Sequence, residues 1–124
     1  MKLIKFWFPL VLYSVIIFCV SSLPNLRPPN TDILGVDKIL HIGEYIPFGF
    51  LTARVLYSLN EPRPTRNILW LAACAACLYG ITDEYHQSFV EGRSSDMFDV
   101  AADTIGGVLG AALYRKMKLR NSPD

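Results

Sequence analysis

Charged residues are scarce in this 124-residue sequence, where Asp, Glu, Lys and Arg make up 19% and hydrophobic residues 52%. A soluble domain usually carries about 25% charged residues. The few charges here fall in short segments between long apolar runs, as a bilayer-embedded chain requires. A formal net charge of +1 gives no indication of nucleic-acid binding, and we expect no nucleic-acid partner.

Cysteine is also rare, and the three cysteines are Cys19, Cys74 and Cys77. All three lie in apolar runs and their number is odd, which argues against a disulfide framework. Cys74 and Cys77 form a C-x-x-C pair, but no strand is predicted before it. The spacing therefore does not favour a redox role.

Long apolar runs dominate what the sequence does contain, and they cover residues 6–23, 39–59, 68–88 and 96–114. Each run can cross about 30 Å of hydrocarbon at about 1.5 Å per residue. Pro47 lies inside the second run with Gly49, a combination that a membrane helix tolerates, and it predicts a kink. The proline-containing segments 25–30 and 61–66 are predicted breaks. The expected fold is one all-α domain over residues 1–124, an integral membrane bundle of four transmembrane helices.

The first run allows two interpretations, a cleaved signal peptide or a retained span, because Lys2 and Lys5 precede it. It is long for the apolar region of a signal peptide. The segment that follows, from Cys19 to Pro24, is also a poor cleavage site. We therefore favour a retained span.

Basic residues predict the orientation of the four spans. Most lie at the two termini and in the middle loop: Lys2, Lys5, Arg63, Arg66, Arg115, Lys116, Lys118 and Arg120. The first and third loops and their borders carry fewer, namely Arg27, Lys38 and Arg93. Because cytoplasmic loops carry the positive excess, both termini are expected in the cytoplasm of a multi-pass protein.

Small residues recur at every fourth position in the last two runs. They are Ala72, Ala76 and Gly80 in the third run and Ala102, Gly106 and Gly110 in the fourth. Such ridges allow helices to approach closely. A phosphate-binding role for Gly106, Gly107 and Gly110 would need a preceding strand, so packing is the favoured interpretation.

Acidic and histidine residues gather at the outward end of three spans. They fall into three helically spaced groups: Asp37, His41 and Glu44; then Asp83, Glu84 and Gln87; then Asp96, Asp99 and Asp103. A carboxylate in the hydrocarbon region costs about 2.5–3.5 kcal/mol on insertion scales and is normally retained for pairing or function. The structural alternative has Asp96 capping its helix, Asp37 pairing with Lys38, and Arg93 neutralising Asp99 or Asp83.

Two kinds of chemistry fit this inventory. In the first, a divalent cation is bound, and the candidate ligands are His41, Glu44, Glu84 and Asp99. In the second, no metal takes part, and His41 with Asp83 or Glu84 transfers a proton or binds a polar head group together with Arg93. The sequence does not choose between the two.

Two separated segments resemble the VanZ-like family. The first runs from Asp37 through Lys38 and His41 to Tyr45, and the second from Asp83 through Gly92-Arg93 to Gly106. The recurrent family positions correspond to Asp37, Lys38, His41, Tyr45, Glu84, Gln87, Gly92, Arg93, Asp99, Asp103 and Gly106. The sequence departs from the family at Glu91, often proline there, and at Asp103, often asparagine.

The resemblance implies a small bacterial integral membrane protein of the cell envelope, since founding members are linked to low-level teicoplanin resistance. It supplies no established reaction. Our hypothesis places the catalytic groups at His41, Asp83, Glu84 and Arg93. The residues expected to bind a lipid or lipid-linked envelope precursor are Asp37, Lys38, Glu44, Tyr45, Gln87, Asp99 and Asp103. The alternatives are a binding protein without turnover and an accessory subunit whose polar cluster is an internal latch.

Overall fold

Four α-helices make up the computed structural model, which describes residues 2–24, 35–59 and 65–121. The helices are α1 (Lys2–Ser21), α2 (Val36–Leu59), α3 (Thr65–Gln87) and α4 (Met97–Arg120). No strand occurs in the described part of the chain, so the predicted all-α bundle is confirmed. The predicted loop at 25–30 and most of the break at 61–66 lie outside the described residues.

Several helix boundaries differ from the predicted spans. The first helix is Lys2–Ser21 rather than 6–23, and the second begins at Val36 rather than at residue 39. The third helix begins at Thr65 rather than at residue 68, and the fourth extends to Arg120 rather than to residue 114. Both extensions add polar residues, which a helix can carry where it leaves the apolar part of a bundle. The α2 helix is continuous through Pro47, and the kink expected there stays a prediction.

Close contact between α2 and α4 depends on glycine. A Cβ atom added at Gly49 would collide with the backbone of Gly107, and one added at Gly110 would collide with the carbonyl of Ile46. A Cβ at Gly106 would likewise strike the Ile42 carbonyl. The small-residue ridge of α4 therefore packs, as predicted, and it brings the two backbones into contact.

The ridge of α3 packs against α4 from the other side. Ala72 and Ala76 are fully buried, and a Cβ on Gly107 would meet the Ala76 methyl group. A Cβ added at Gly80 would lie 2.7 Å from a carboxylate oxygen of Asp103. Glycine at position 80 thus leaves room for an acidic side chain between α3 and α4.

The α1 helix lies against α2 and α3 and is tied to both by tyrosine side chains. The Tyr13 hydroxyl donates to the Glu44 carbonyl at 2.8 Å, and the Tyr79 hydroxyl donates to the Ser14 carbonyl at 2.6 Å. Ile17 of α1 is buried with Tyr45 and Phe48. These contacts make α1 a packed member of the bundle.

Apolar side chains cover much of the outer surface, as shown by Phe8 at 60% exposed, Trp70 at 64% and Phe98 at 74%. By length and hydropathy, the segments Ile4–Ser21 (mean hydropathy 2.0) and Met97–Arg120 (1.2) are candidate membrane spans among the described residues. A signal sequence or a buried helix of a soluble protein meets the same criteria. Membrane insertion of all four helices therefore stays a prediction.

Candidate functional site

Four helix ends lie at one end of the bundle, the starts of α2 and α4 and the ends of α1 and α3. Lys38, in the first turn of α2, reaches Asp96 and Asp99 at the start of α4. Ser22, just after α1, shares a hydrogen bond of 2.9 Å with His86 near the end of α3. The three acidic groups therefore lie at the same end, as the sequence predicts.

Lys38 is held among three carboxylates. Its ammonium group donates to Asp96 Oδ2 at 2.6 Å and to Asp99 Oδ1, and it lies 3.6 Å from Asp37 Oδ2. Lys38 precedes the predicted second span, which starts at residue 39. Burial lowers the pKa of Lys38, but the hydrogen bonds to Asp96 and Asp99 outweigh this and raise it above its ordinary value. The hydrogen bonds to Asp96 and Asp99 therefore favour the charged form of Lys38.

His41 lies between two carboxylates of α4. Its Nδ1 is 2.9 Å from Asp103 Oδ1, and its Nε2 is 3.7 Å from Asp99 Oδ2. Asp103 is fully buried, and His41 is only 7% exposed. Because an ionised carboxylate only accepts hydrogen bonds, Nδ1 donates to Asp103. In the neutral imidazole, Nε2 then presents a lone pair towards Asp99.

The acidic residues of α3 are also buried. Glu84 accepts a hydrogen bond from the Asp96 backbone N–H at 2.7 Å through Oε2, whereas its Oε1 has no hydrogen-bond partner in the described part of the chain. Asp83 accepts from the Gln87 amide at 3.1 Å. Glu84 also interacts electrostatically with His41 and Asp99, so α3 supplies a third side to the cluster.

Glu44 and Tyr45 lie deeper in α2. Glu44 is half-buried and interacts electrostatically first with Asp83 and then with His41. The Tyr45 ring is fully buried against Phe48, and within residues 2–24, 35–59 and 65–121 its hydroxyl has no hydrogen-bond partner. The structure thus extends the cluster inward from His41.

Arg93 contacts backbone carbonyls at the end of α1. Its guanidinium donates to the Val20 carbonyl at 3.3 Å and to the Leu23 carbonyl at 3.4 Å, and among the described residues it forms no ion pair with Asp83 or Asp99. The structural alternative, in which Arg93 neutralises either carboxylate, is therefore not observed, and Lys38 pairs with Asp99 instead. A catalytic role for Arg93 stays a prediction. The Val20 carbonyl, in the last turn of α1, also accepts from the Leu23 N–H at 3.1 Å, so Arg93 is a second donor there and links the loop before α4 to the end of α1.

The loop before α4 places both Arg93 and Asp96. Gly92 adopts a φ of 77°, in the left-handed region that favours glycine. Asp96 caps α4, because its side chain accepts from the Phe98 N–H at 2.9 Å. The predicted cap and the predicted pairing of Asp37 with Lys38 are both observed.

One group of potential metal ligands is found among the described residues. Ligand atoms of Asp37, His41 and Asp99 all lie within 4.8 Å of one another. His41 and Asp99 were predicted candidates, whereas Asp37 replaces Glu44 and Glu84 in this group. Sequence spacing alone missed this, because the choice depends on how α4 is rotated against α2.

The fold and the site together define an all-α bundle with a buried histidine–carboxylate cluster at one end. The chain belongs to the VanZ/LLP1 family, whose family model matches residues 3–119. No curated protein and no solved structure matches the sequence.

Proposed function

We propose that this protein spans the bacterial cytoplasmic membrane four times and binds the polar head group of a lipid or lipid-linked envelope precursor at the His41 cluster. In this proposal His41 exchanges a proton with the bound group. The observation that carries it is the position of His41, buried between Asp99 and Asp103. A buried imidazole oriented by a carboxylate is the usual arrangement of a general acid–base.

The arrangement in the membrane is part of the proposal. The exposed apolar side chains would face lipid, and the excess of Lys and Arg at both termini would keep those termini in the cytoplasm. The ends of α1 and α3 and the beginnings of α2 and α4 would then face outward. An outward cluster is suited to a substrate of the cell envelope.

Acidic residues outnumber basic ones in the cluster. Lys38 and His41 are surrounded by seven carboxylates, those of Asp37, Glu44, Asp83, Glu84, Asp96, Asp99 and Asp103. Arg93 is bonded to α1 carbonyls, which removes it as the first choice for holding a phosphate. The cluster would therefore favour a cationic partner.

A link to teicoplanin resistance can be tested directly. Wild type, His41→Gln and Glu84→Gln would be produced in a teicoplanin-susceptible Gram-positive host, with His86→Gln as the matched histidine control. We expect wild type and His86→Gln to raise the minimal inhibitory concentration, and the two cluster variants to lose this effect. Immunoblots of membranes must show equal amounts of each protein. No effect of the wild type would overturn the teicoplanin link.

A structural latch is the second candidate. It is favoured by the contacts of Lys38 and His41, two α2 side chains that both pair with carboxylates of α4. A latch predicts that Glu84→Gln and His41→Gln reduce the amount of folded protein. Acid–base chemistry predicts folded, membrane-inserted protein without activity, so the same immunoblots and the elution volume in detergent separate the two.

A further inference from the structure

The two nitrogens of His41 have different surroundings. Nδ1 is engaged by Asp103 at 2.9 Å, whereas Nε2 is 3.7 Å from Asp99 Oδ2. The second distance exceeds that of a hydrogen bond, which is about 2.7–3.2 Å. Two ligands bound to one Zn²⁺ ion at about 2.1 Å each lie roughly 3.4 Å apart in tetrahedral geometry. The spacing of Nε2 and Oδ2 is thus that of two ligands of one ion.

Asp103 has the position of a supporting group. A metal-binding histidine almost always donates its other N–H to a carboxylate or carbonyl, which fixes the ring and its tautomer. Asp103 makes this contact from a fully buried position on α4. His41 is therefore already oriented with Nε2 towards Asp99.

Lys38 does not occupy the Asp99 oxygen that faces His41. Its ammonium group bonds to Oδ1 of Asp99 and to Asp96, while Oδ2 is the oxygen nearest His41 Nε2. Asp37 Oδ2 forms an ion pair of 3.6 Å with the same ammonium. One oxygen of Asp99 is left for a second cation, and Asp37 lies beside it.

An independent observation also points to a missing ligand. Glu84 is 2% exposed, and its Oε1 has no hydrogen-bond partner among the described residues. Its carboxylate is repelled by that of Asp99 and attracted by a protonated His41, so it lies in the electrostatic field of the same cluster. A buried carboxylate oxygen without a partner is costly, and a bound cation would satisfy it.

We propose that His41 Nε2, Asp99 and Asp37 bind one divalent transition-metal ion, Zn²⁺ or Mn²⁺, and that the buried carboxylate of Glu84, outside this ligand group, adds negative charge to its surroundings. One imidazole with several carboxylates suits these ions. Asp103 and Lys38 act outside the ligand set, Asp103 through His41 and Lys38 through Asp99. The inference goes beyond the proposed function and limits it. With Nε2 bound to the ion and Nδ1 donating to Asp103, His41 has no nitrogen left to exchange a proton, so proton exchange belongs to the metal-free protein, whereas head-group binding is compatible with both states.

The test measures metal bound per chain and needs no activity. Protein is purified in detergent through a tag without histidine, with Cys19, Cys74 and Cys77 replaced by serine so that thiols bind no Zn²⁺. After chelation and dialysis, Zn²⁺, Mn²⁺ or Mg²⁺ is added and the bound metal is counted by mass spectrometry. Binding of Mn²⁺ is also followed by loss of its free-ion signal in electron paramagnetic resonance.

Binding of one Zn²⁺ or Mn²⁺ per chain is the expected result, with loss of that ion in His41→Gln and in Asp99→Asn. Asp103→Asn should weaken binding by about 10–100-fold, as supporting groups do. His86→Gln is the matched control and should bind as the parent protein does. If His41→Gln fails to fold, Asp37→Asn replaces it, since the Asp37 side chain is 35% exposed and its amide should be tolerated.

Two results would overturn the proposal. One is the absence of tight Zn²⁺ and Mn²⁺ binding in the parent protein. The other is equal binding in the His41 or Asp37 variants and the parent, which would place the ion elsewhere. Neither result would bear on teicoplanin resistance, so the metal site and the proposed function fail separately.

Discussion

The imidazole of His41 on α2 and the carboxylate of Asp103 on α4 form a buried hydrogen bond of 2.9 Å. The bond joins residues 62 positions apart in the sequence, at the end of the bundle where the acidic groups gather. Space for the carboxylate depends on Gly80 of α3, where a Cβ would lie 2.7 Å from Asp103 Oδ2. Three helices thus determine the position of one histidine.

Replacing Asp103 by alanine should strongly destabilise the bundle. Removing one member of a buried pair leaves the other unpaired, which costs about 3–5 kcal/mol. Asp103→Asn keeps an oxygen that can accept from His41, and we expect a smaller loss of about 1–2 kcal/mol. Thermal unfolding in detergent provides the comparison. Glu91→Gln, at an exposed position, should unfold like the wild type.

Replacing both His41 and Asp103 tests whether the loss of stability comes from leaving one of the two buried polar side chains without its partner. In His41→Leu/Asp103→Leu no polar group is left alone, so the double variant should be more stable than Asp103→Ala. A double variant at least as unstable as Asp103→Ala would show that this hydrogen bond is not the source of the destabilisation.

Gly49 and Gly43 of α2 provide a matched pair for testing the contact with α4. Gly49→Ala puts a methyl group into the backbone of Gly107 and should cost about 1–3 kcal/mol. At Gly43 nothing lies within 4 Å of an added Cβ. Gly43→Ala should therefore be neutral, or stabilising by up to about 1 kcal/mol through helix propensity. Equal melting temperatures for the two variants would contradict the close approach of α2 and α4.

The spacing of residues in the sequence is sufficient to predict the four helices and the acidic face of α4. The spacing of Asp96, Asp99 and Asp103 placed them on one face of α4, and the structure buries Asp99 and Asp103 there. Spacing on a single helix does not determine how two helices are rotated against each other. For that reason Glu44 was expected beside His41 as a metal ligand, whereas the group of ligand atoms contains Asp37.

The misassignment of Arg93 has the same origin. In the sequence Arg93 is surrounded by acidic residues, and charge alone favours an ion pair with one of them. The structure brings the end of α1 next to Arg93, and the carbonyls of Val20 and Leu23 accept its hydrogen bonds. Backbone carbonyls leave no signal in a pattern of charges, so these acceptors could not be predicted from the sequence.

Arg93→Gln should loosen the end of α1 without disturbing the metal ligands. Losing two hydrogen bonds from a charged, partly exposed donor should cost about 1–3 kcal/mol. Limited proteolysis in detergent should show faster cleavage after α1 than in the wild type, while bound metal per chain stays the same. Arg93→Lys keeps the positive charge but lacks the several N–H donors of the planar guanidinium. We expect it to restore the resistance to proteolysis only in part. Loss of metal binding in Arg93→Gln would place the guanidinium in the site after all.

The proposed topology predicts which positions can be labelled from outside the cell. In the background without cysteine, single cysteines are introduced at Asn30, Ser94 and Thr65 and treated with a thiol reagent that does not cross membranes. Asn30→Cys and Ser94→Cys should react in intact cells, because the first and third loops are expected outside. Thr65→Cys should react only after the membrane is opened, and detergent-solubilised protein provides the full-labelling control.

Ser94 is exposed in the structure, so burial in the bundle would not explain a failure to react. A Ser94→Cys protein that reacts only in opened cells would place the His41 cluster on the cytoplasmic side, where an envelope precursor would have to be bound before export.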